Sequence, residues 1–118
     1  MTDLNKVLVT GVLVQDVELR FTTTGTKTAN LRVAIHRRYK TKAQEVKEET
    51  EFITVVVWQI LAENCAKYLK SGSRVFVEGR LQTREFIDKD QQKRTVTEIV
   101  AEDVEFMDKV ETKEETKE

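Results

Sequence analysis

The stretch "FITVVVW", residues 52–58, is a run of β-branched and aromatic residues, the composition that suits a pleated, packed surface. Side chains alternate between the two faces of a strand. Ile53, Val55 and Val57 therefore share one face, and Phe52, Thr54, Val56 and Trp58 share the other. The first is a core face. The second has an aromatic ring at each end, more than a core already supplied by three aliphatic residues requires, so it is the face on which to look for function.

Working outward, "LNKVLVTGVLV" (4–14) reads as a strand interrupted at Gly11, where a bulge or sharp bend is expected. In "ANLRVAIH" (29–36) the odd positions are apolar and the even ones polar except Ala34, a half-buried strand. "TTTGT" (22–26) between them is a turn. "KTKAQEVKEETE" (40–51) reads as a long, mobile, exposed hairpin loop. After Trp58, "QILAENCAKYLK" (59–70) repeats Leu61, Cys65, Tyr68 and Leu69 at helical spacing, and Gly72 is placed to stop the helix. "RVFVEGRLQTREF" (74–86) is a strand with Val75, Val77 and Leu81 inward and a second bend at Gly79. "IDKDQQKR" (87–94) is a polar tip before a fifth strand, "TVTEIVAEDVEF" (95–106). The sequence thus predicts an all-β fold, five strands with one short helix between the third and fourth. Those are the ingredients of an OB-fold barrel, whose open face binds oligonucleotides or oligosaccharides. The domain spans 1–106, and 107–118, "MDKVETKEETKE", is expected to be a charged tail, disordered or a frayed helix.

The 118 residues fit one domain. No apolar run approaches the roughly 18–20 residues of a membrane span, and no signal-peptide pattern is present. The lone Cys65 cannot form an intramolecular disulfide, in agreement with a cytoplasmic location. Residues 102–118 carry eight acidic side chains against three lysines, a net −5, which leaves 17 basic and 13 acidic side chains, or +4, on the rest. A mildly basic body suits a polyanionic ligand. Catalysis finds no constellation. His36 is the only histidine, Cys65 falls on the apolar face of the helix, the carboxylates cluster in loop and tail, and no GxxxxGK[ST] loop occurs. No catalytic residue, metal site or cofactor is expected.

The outward positions make a different set. Phe52, Trp58, Phe76 and Phe86 are accompanied by Arg74, Arg80 and Arg84, and Tyr39 follows "HRR" at 36–38. A single-stranded nucleic acid needs flat surfaces for its bases, each stack worth about 1–3 kcal/mol, and cations along its phosphates. Stacking tolerates any base, so sequence-independent binding is expected. Phe76 reads equally well as barrel packing, and Phe21 and Phe106 read as core or edge packing.

"NKV" (5–7), Gly11, "ELRF" (18–21), Gly25, "AN" (29–30), "TEF" (50–52), "LAENCAKYLKSGS" (61–73), "VEGRLQTR" (77–84) and "TVTEIVAEDVEF" (95–106) together resemble the bacterial single-stranded DNA-binding protein family. The resemblance implies an OB-fold that assembles as a homotetramer and binds single-stranded DNA in replication, recombination and repair, in the cytoplasm with the nucleoid, without catalysis. Position by position it puts the stacking rings at Tyr39, Phe52, Trp58 and Phe86, and phosphate contacts at Lys6, Arg20, Lys70 and Arg84. Proximity in sequence adds Arg37, Arg38, Lys67, Arg74 and Arg80.

The chain departs from the family pattern in places. It has no proline, so the loop at Asp16-Val17-Glu18 lacks the usual one, and Tyr39, Phe52 and Phe86 stand where tryptophan is common. Thr54 and Ile60 stand where basic residues are frequent. Family members continue to an acidic tip ending in proline and phenylalanine that recruits replication and repair proteins. This sequence ends "KEETKE", so only weak engagement of such partners is expected. The alternative class is a primosome-type OB-fold adaptor acting through protein recruitment; a small nuclease would need a metal-holding carboxylate set, and RNA would be told from DNA only by 2′-OH contacts.

Overall fold

Alternation along the strands builds the core. The computed structural model describes residues 1–107, so the expected tail, apart from Met107, lies outside the described residues. The elements are β1 (Val7–Leu13), β2 (Arg20–Phe21), β3 (Lys27–Lys40), β4 (Val46–Trp58), α1 (Gln59–Tyr68), β5 (Arg74–Ile87) and β6 (Lys93–Phe106). The five longer strands close on themselves in the order β1-β5-β6-β4-β3 and back to β1, and β2 adds two residues to the edge of β3. β4 runs parallel to β6; the other pairs are antiparallel.

Leu13, Leu31, Val33, Val55, Val57, Val75, Val77 and Ile99 fill the barrel, and α1 sets Ala62 and Cys65 against it. These two small side chains, three apart, let the helix approach β3 and β4 closely. Ile53 packs on this core while Phe52 and Trp58 turn away from it, as alternation requires.

The two bends sit where the barrel closes. β1 pairs with β5 from Val7 to Val12 and reaches β3 only at Val12 and Leu13. At the crossing, a Cβ on Gly11 would lie 2.5 Å from the Ala34 carbonyl oxygen and 2.6 Å from Val33 Cγ1, so the strands meet only over a glycine. The β5–β6 register shifts between Glu78 and Gly79. A side chain at Gly79 would run into the Val100 carbonyl.

Four expectations change. Residues 40–51 are not a loop: β3 and β4 continue as a ribbon with register from Arg37↔Glu49 to Lys40↔Val46, and only 41–45 turn. Cross-strand ion pairs Arg37–Glu49 (2.8 Å) and Arg38–Glu48 (3.5 Å) run along it. With both faces in water the ribbon has no apolar period to betray it. The 87–94 tip likewise shrinks to 88–92. Leu81 keeps the inward parity but is 47% exposed, because β1 begins opposite Gly79 and covers nothing beyond it. Finally, α1 ends at Tyr68 with Leu69 extended, and Gly72 (φ +96°) serves the following turn, in which Ser73 N–H donates to the Lys70 carbonyl.

Candidate nucleic-acid interface

Residues opposite each other in a sheet share a face, and the register carries the outward face of β4 across its neighbours. Trp58 is opposite Thr28, itself opposite Arg20. Val56 is opposite Asn30 on one side and Val100 on the other, and Val100 is opposite Arg80. Further along come Thr54 with Arg32, Phe52 with Ala34, Glu98 with Gln82 and Phe86 with Arg94. Trp58, Phe52, Phe86, Arg20, Arg80 and Arg84 therefore stand on one outer face. Its rings are exposed by 41%, 51% and 43% for Trp58, Phe52 and Phe86, whereas Val56, Val100 and Glu98 between them are buried.

Two of the rings have a guanidinium alongside. Arg32 Cζ is 5.6 Å from the Phe52 centroid, and its Nη1 donates to Thr54 Oγ1 at 3.0 Å. Arg84 Cζ is 5.7 Å from the Phe86 centroid, and its Nε donates to Glu98 Oε1 at 2.9 Å. Arg80 is exposed and has no ion pair among the described residues.

The other expected residues are not gathered with these. Tyr39 has the parity of Ala29 to Ile35, which places it on the opposite side of the ribbon from Phe52. There its ring lies 4.7 Å from Arg37 Cζ, and its hydroxyl faces Glu49. Arg37, on that same side, is engaged by Glu49; Arg38 shares the parity of Phe52 but lies further out along the ribbon, engaged by Glu48. Arg20, although on the outer face, stands 3.6 Å from Glu18. Lys6, just before β1, is paired with Glu78 and lies 3.9 Å from Glu102; the bond and charge of Glu78 hold its ammonium above the usual lysine range. Lys67, over the Tyr68 ring at 5.3 Å, and Lys70 lie at the far end of α1 from Trp58, roughly 15 Å along a ten-residue helix. Arg74 opens β5 opposite Val12, and Phe86 is near its other end. Phe76 is half-buried and lines a shallow groove with Glu105 and Met107, apart from the three rings.

A family model, described as the single-strand binding protein family, matches residues 4–107. The chain belongs to this family. Among curated members, single-stranded DNA-binding protein 3 of Clostridium acetobutylicum is 45% identical over 106 residues, which span 89% of this chain and 72% of that protein. The single-stranded DNA-binding protein of Oceanobacillus iheyensis is 42% identical over 105 residues, 89% of this chain and 64% of that one. A solved complex of Plasmodium falciparum SSB with ssDNA matches with a TM-score of 0.84 at 28% identity, covering 92% of this chain and 98% of that one. The barrel is thus the OB-fold that the order of elements foretold, and the family is one of binding proteins rather than enzymes.

Sequence reading of this family member missed four residues of the face. Asn30 and Arg32 were visible as even positions of an alternating strand and were not carried into the site. Gln82 was equally visible, at an outward position between Arg80 and Arg84, and was not carried in either. Glu98 gave no comparable signal: "TVTEIV" alternates, which places Glu98 outward but says nothing of its burial.

Proposed function

We propose that this protein binds single-stranded DNA without sequence preference, its bases stacking on Trp58, Phe52 and Phe86 and its phosphates meeting the arginines beside them. One observation carries the reading: three exposed rings, two with a guanidinium alongside, flank a buried strip on one face of the barrel. Any base can stack there. The names of the relatives and the ssDNA in the Plasmodium complex support the choice of ligand. Tyr39 enters as a fourth ring for a strand that wraps the narrow ribbon. Arg20, Arg80 and Arg84 form the phosphate track along the face. Arg37 and Arg38 join it by giving up Glu49 and Glu48, and Lys6, Lys67, Lys70 and Arg74 extend it around the barrel. The protein acts as a homotetramer at single strands exposed in replication, recombination and repair, in the cytoplasm. Support for assembly comes from β1, where Val7–Thr10 pair with β5 alone and Leu8 is 59% exposed; an open edge with an apolar side chain is a ready partner for another chain.

Titration of the full chain with poly(dT) should quench Trp58 fluorescence while duplex DNA does not; equal binding of both defeats the reading. Replacing Trp58 by alanine should cost about 1–3 kcal/mol for the base stacked there. Light scattering with an oligo(dT) series should give a tetramer mass and the stoichiometry together.

A further inference from the structure

Glu98 is the one charged side chain buried among the described residues, 2% exposed in the strip between the rings. Its Oε1 accepts from Arg84 Nε at 2.9 Å and from Gln82 Nε2 at 3.4 Å. A carboxylate in such a place is costly unless it is paired, and an aliphatic side chain beside Val100 would fill the space without that cost. A negative charge under a face that meets phosphates is also unfavourable in itself. Its use therefore lies in geometry. By engaging Nε it leaves both Nη groups of Arg84 without another acceptor among the described residues, on a side chain that is 52% exposed beside Phe86.

We propose that Glu98, steadied by Gln82, is a positioning residue for nucleic-acid binding: it pins Arg84 by Nε, so that the Nη edge meets one phosphate while Phe86 stacks the adjoining base. The inference rests on the single-stranded DNA reading above. A guanidinium held in place before the ligand arrives loses less rotamer freedom on binding, and a fork already engaged on one edge offers the other to a phosphate.

The test compares oligo(dT) affinity and its salt dependence for the full chain and for Glu98→Gln, with thermal unfolding as the check on folding. Glu98→Gln should bind at least about tenfold more weakly, the loss of one charge-assisted hydrogen bond. Its log-log salt slope should become shallower by about 0.7, one phosphate contact on a single strand. In an Arg84→Met background the same change should bring no further loss, because the two residues act as a unit. Unchanged or tighter binding by folded Glu98→Gln, or an undiminished further loss in the Arg84→Met background, overturns the proposal. Should Glu98→Gln fail to fold, ¹⁵N NMR of the unsubstituted chain decides. An Arg84 Nε–H signal protected from exchange both free and with oligo(dT) supports the proposal, and one that exchanges like a free arginine in the complex overturns it. If the unsubstituted chain does not bind oligo(dT), the DNA reading fails and this inference with it, while a protected signal in the free chain would still report the pinning.

Discussion

Cys65 has no exposed surface beneath α1, and burial pushes its thiol up to about 12. The thiolate is the reactive form, so at neutral pH a folded chain should leave an aromatic disulfide reagent unconsumed and take up one equivalent only in denaturant. Rapid reaction of the folded chain would contradict this placement. Helical spacing made the burial of Cys65 legible, since the residue falls on an apolar stripe. The same logic could not reach Glu98, because a charged residue at an outward position is expected in water. What buries it is contributed by other strands, Arg84 and Gln82 on β5 among them, and such a neighbourhood exists only once the barrel has closed. Tyr39 marks a different limit of the sequence. Proximity to "HRR" grouped it with Arg37, which does lie over its ring, but parity sets both on the other side of the ribbon from Phe52.

Three hairpin turns share one construction. In residues 22–26, 41–45 and 88–92 the fourth residue donates to the carbonyl of the first, and the first donates to the carbonyl of the fifth. The side chains of Thr22, Thr41 and Asp88 then accept from the backbone N–H of Thr26, Glu45 and Gln92. The fourth residue is left-handed in each, with φ +89° at Gly25, +67° at Gln44 and +63° at Gln91. A non-glycine residue there costs about 1–2 kcal/mol, less the roughly 0.5–1 kcal/mol of chain entropy that glycine loses on folding. Gln44→Gly and Gln91→Gly should each raise the denaturant midpoint, by about 0.5–1 kcal/mol of stability, with no change in m-value. A lowered midpoint would show that the glutamine side chains contribute something the backbone does not. Acid separates the third turn from the others. Arg94, and then the Gln92 N–H, hold the Asp88 carboxyl below the usual carboxylate range. A carboxyl whose pKa is depressed on folding stabilises above its unfolded pKa, and that contribution is lost as pH falls through its folded pKa. Asp88→Asn should therefore flatten the acid limb of the stability profile and leave the alkaline limb unchanged. The turns were legible as turns, but their lengths were not. Gly25 announced the first, whereas the glutamines hid the other two, and the charged ribbon flanking 41–45 was read as part of its loop.

At the scale of the molecule, the order of strands and helix was enough to name the barrel, and Gly11 and Gly79 marked where its strands would bend. Assembly was out of reach, because an interface strand looks like any other until its pairing is known. The register now isolates one edge: Val7–Thr10 of β1, bonded to β5 on one side and open on the other. Leu8 stands on that strand, exposed and outside the aromatic face. A lysine at an open edge blocks pairing with another chain through its charge and its desolvation cost, so Leu8→Lys should reduce the mass in light scattering below that of the proposed tetramer. Because Leu8 is mostly exposed, protomer stability should move by no more than about 0.5 kcal/mol. Short oligo(dT) should still quench Trp58, since every residue of the aromatic face is untouched. Long poly(dT) should bind at least about tenfold more weakly, because linked sites on one assembly raise the effective concentration of each for the same strand. An unchanged mass would remove β1 as the assembly edge, and lost quenching by short oligonucleotides would mean that the edge and the stacking face are one surface.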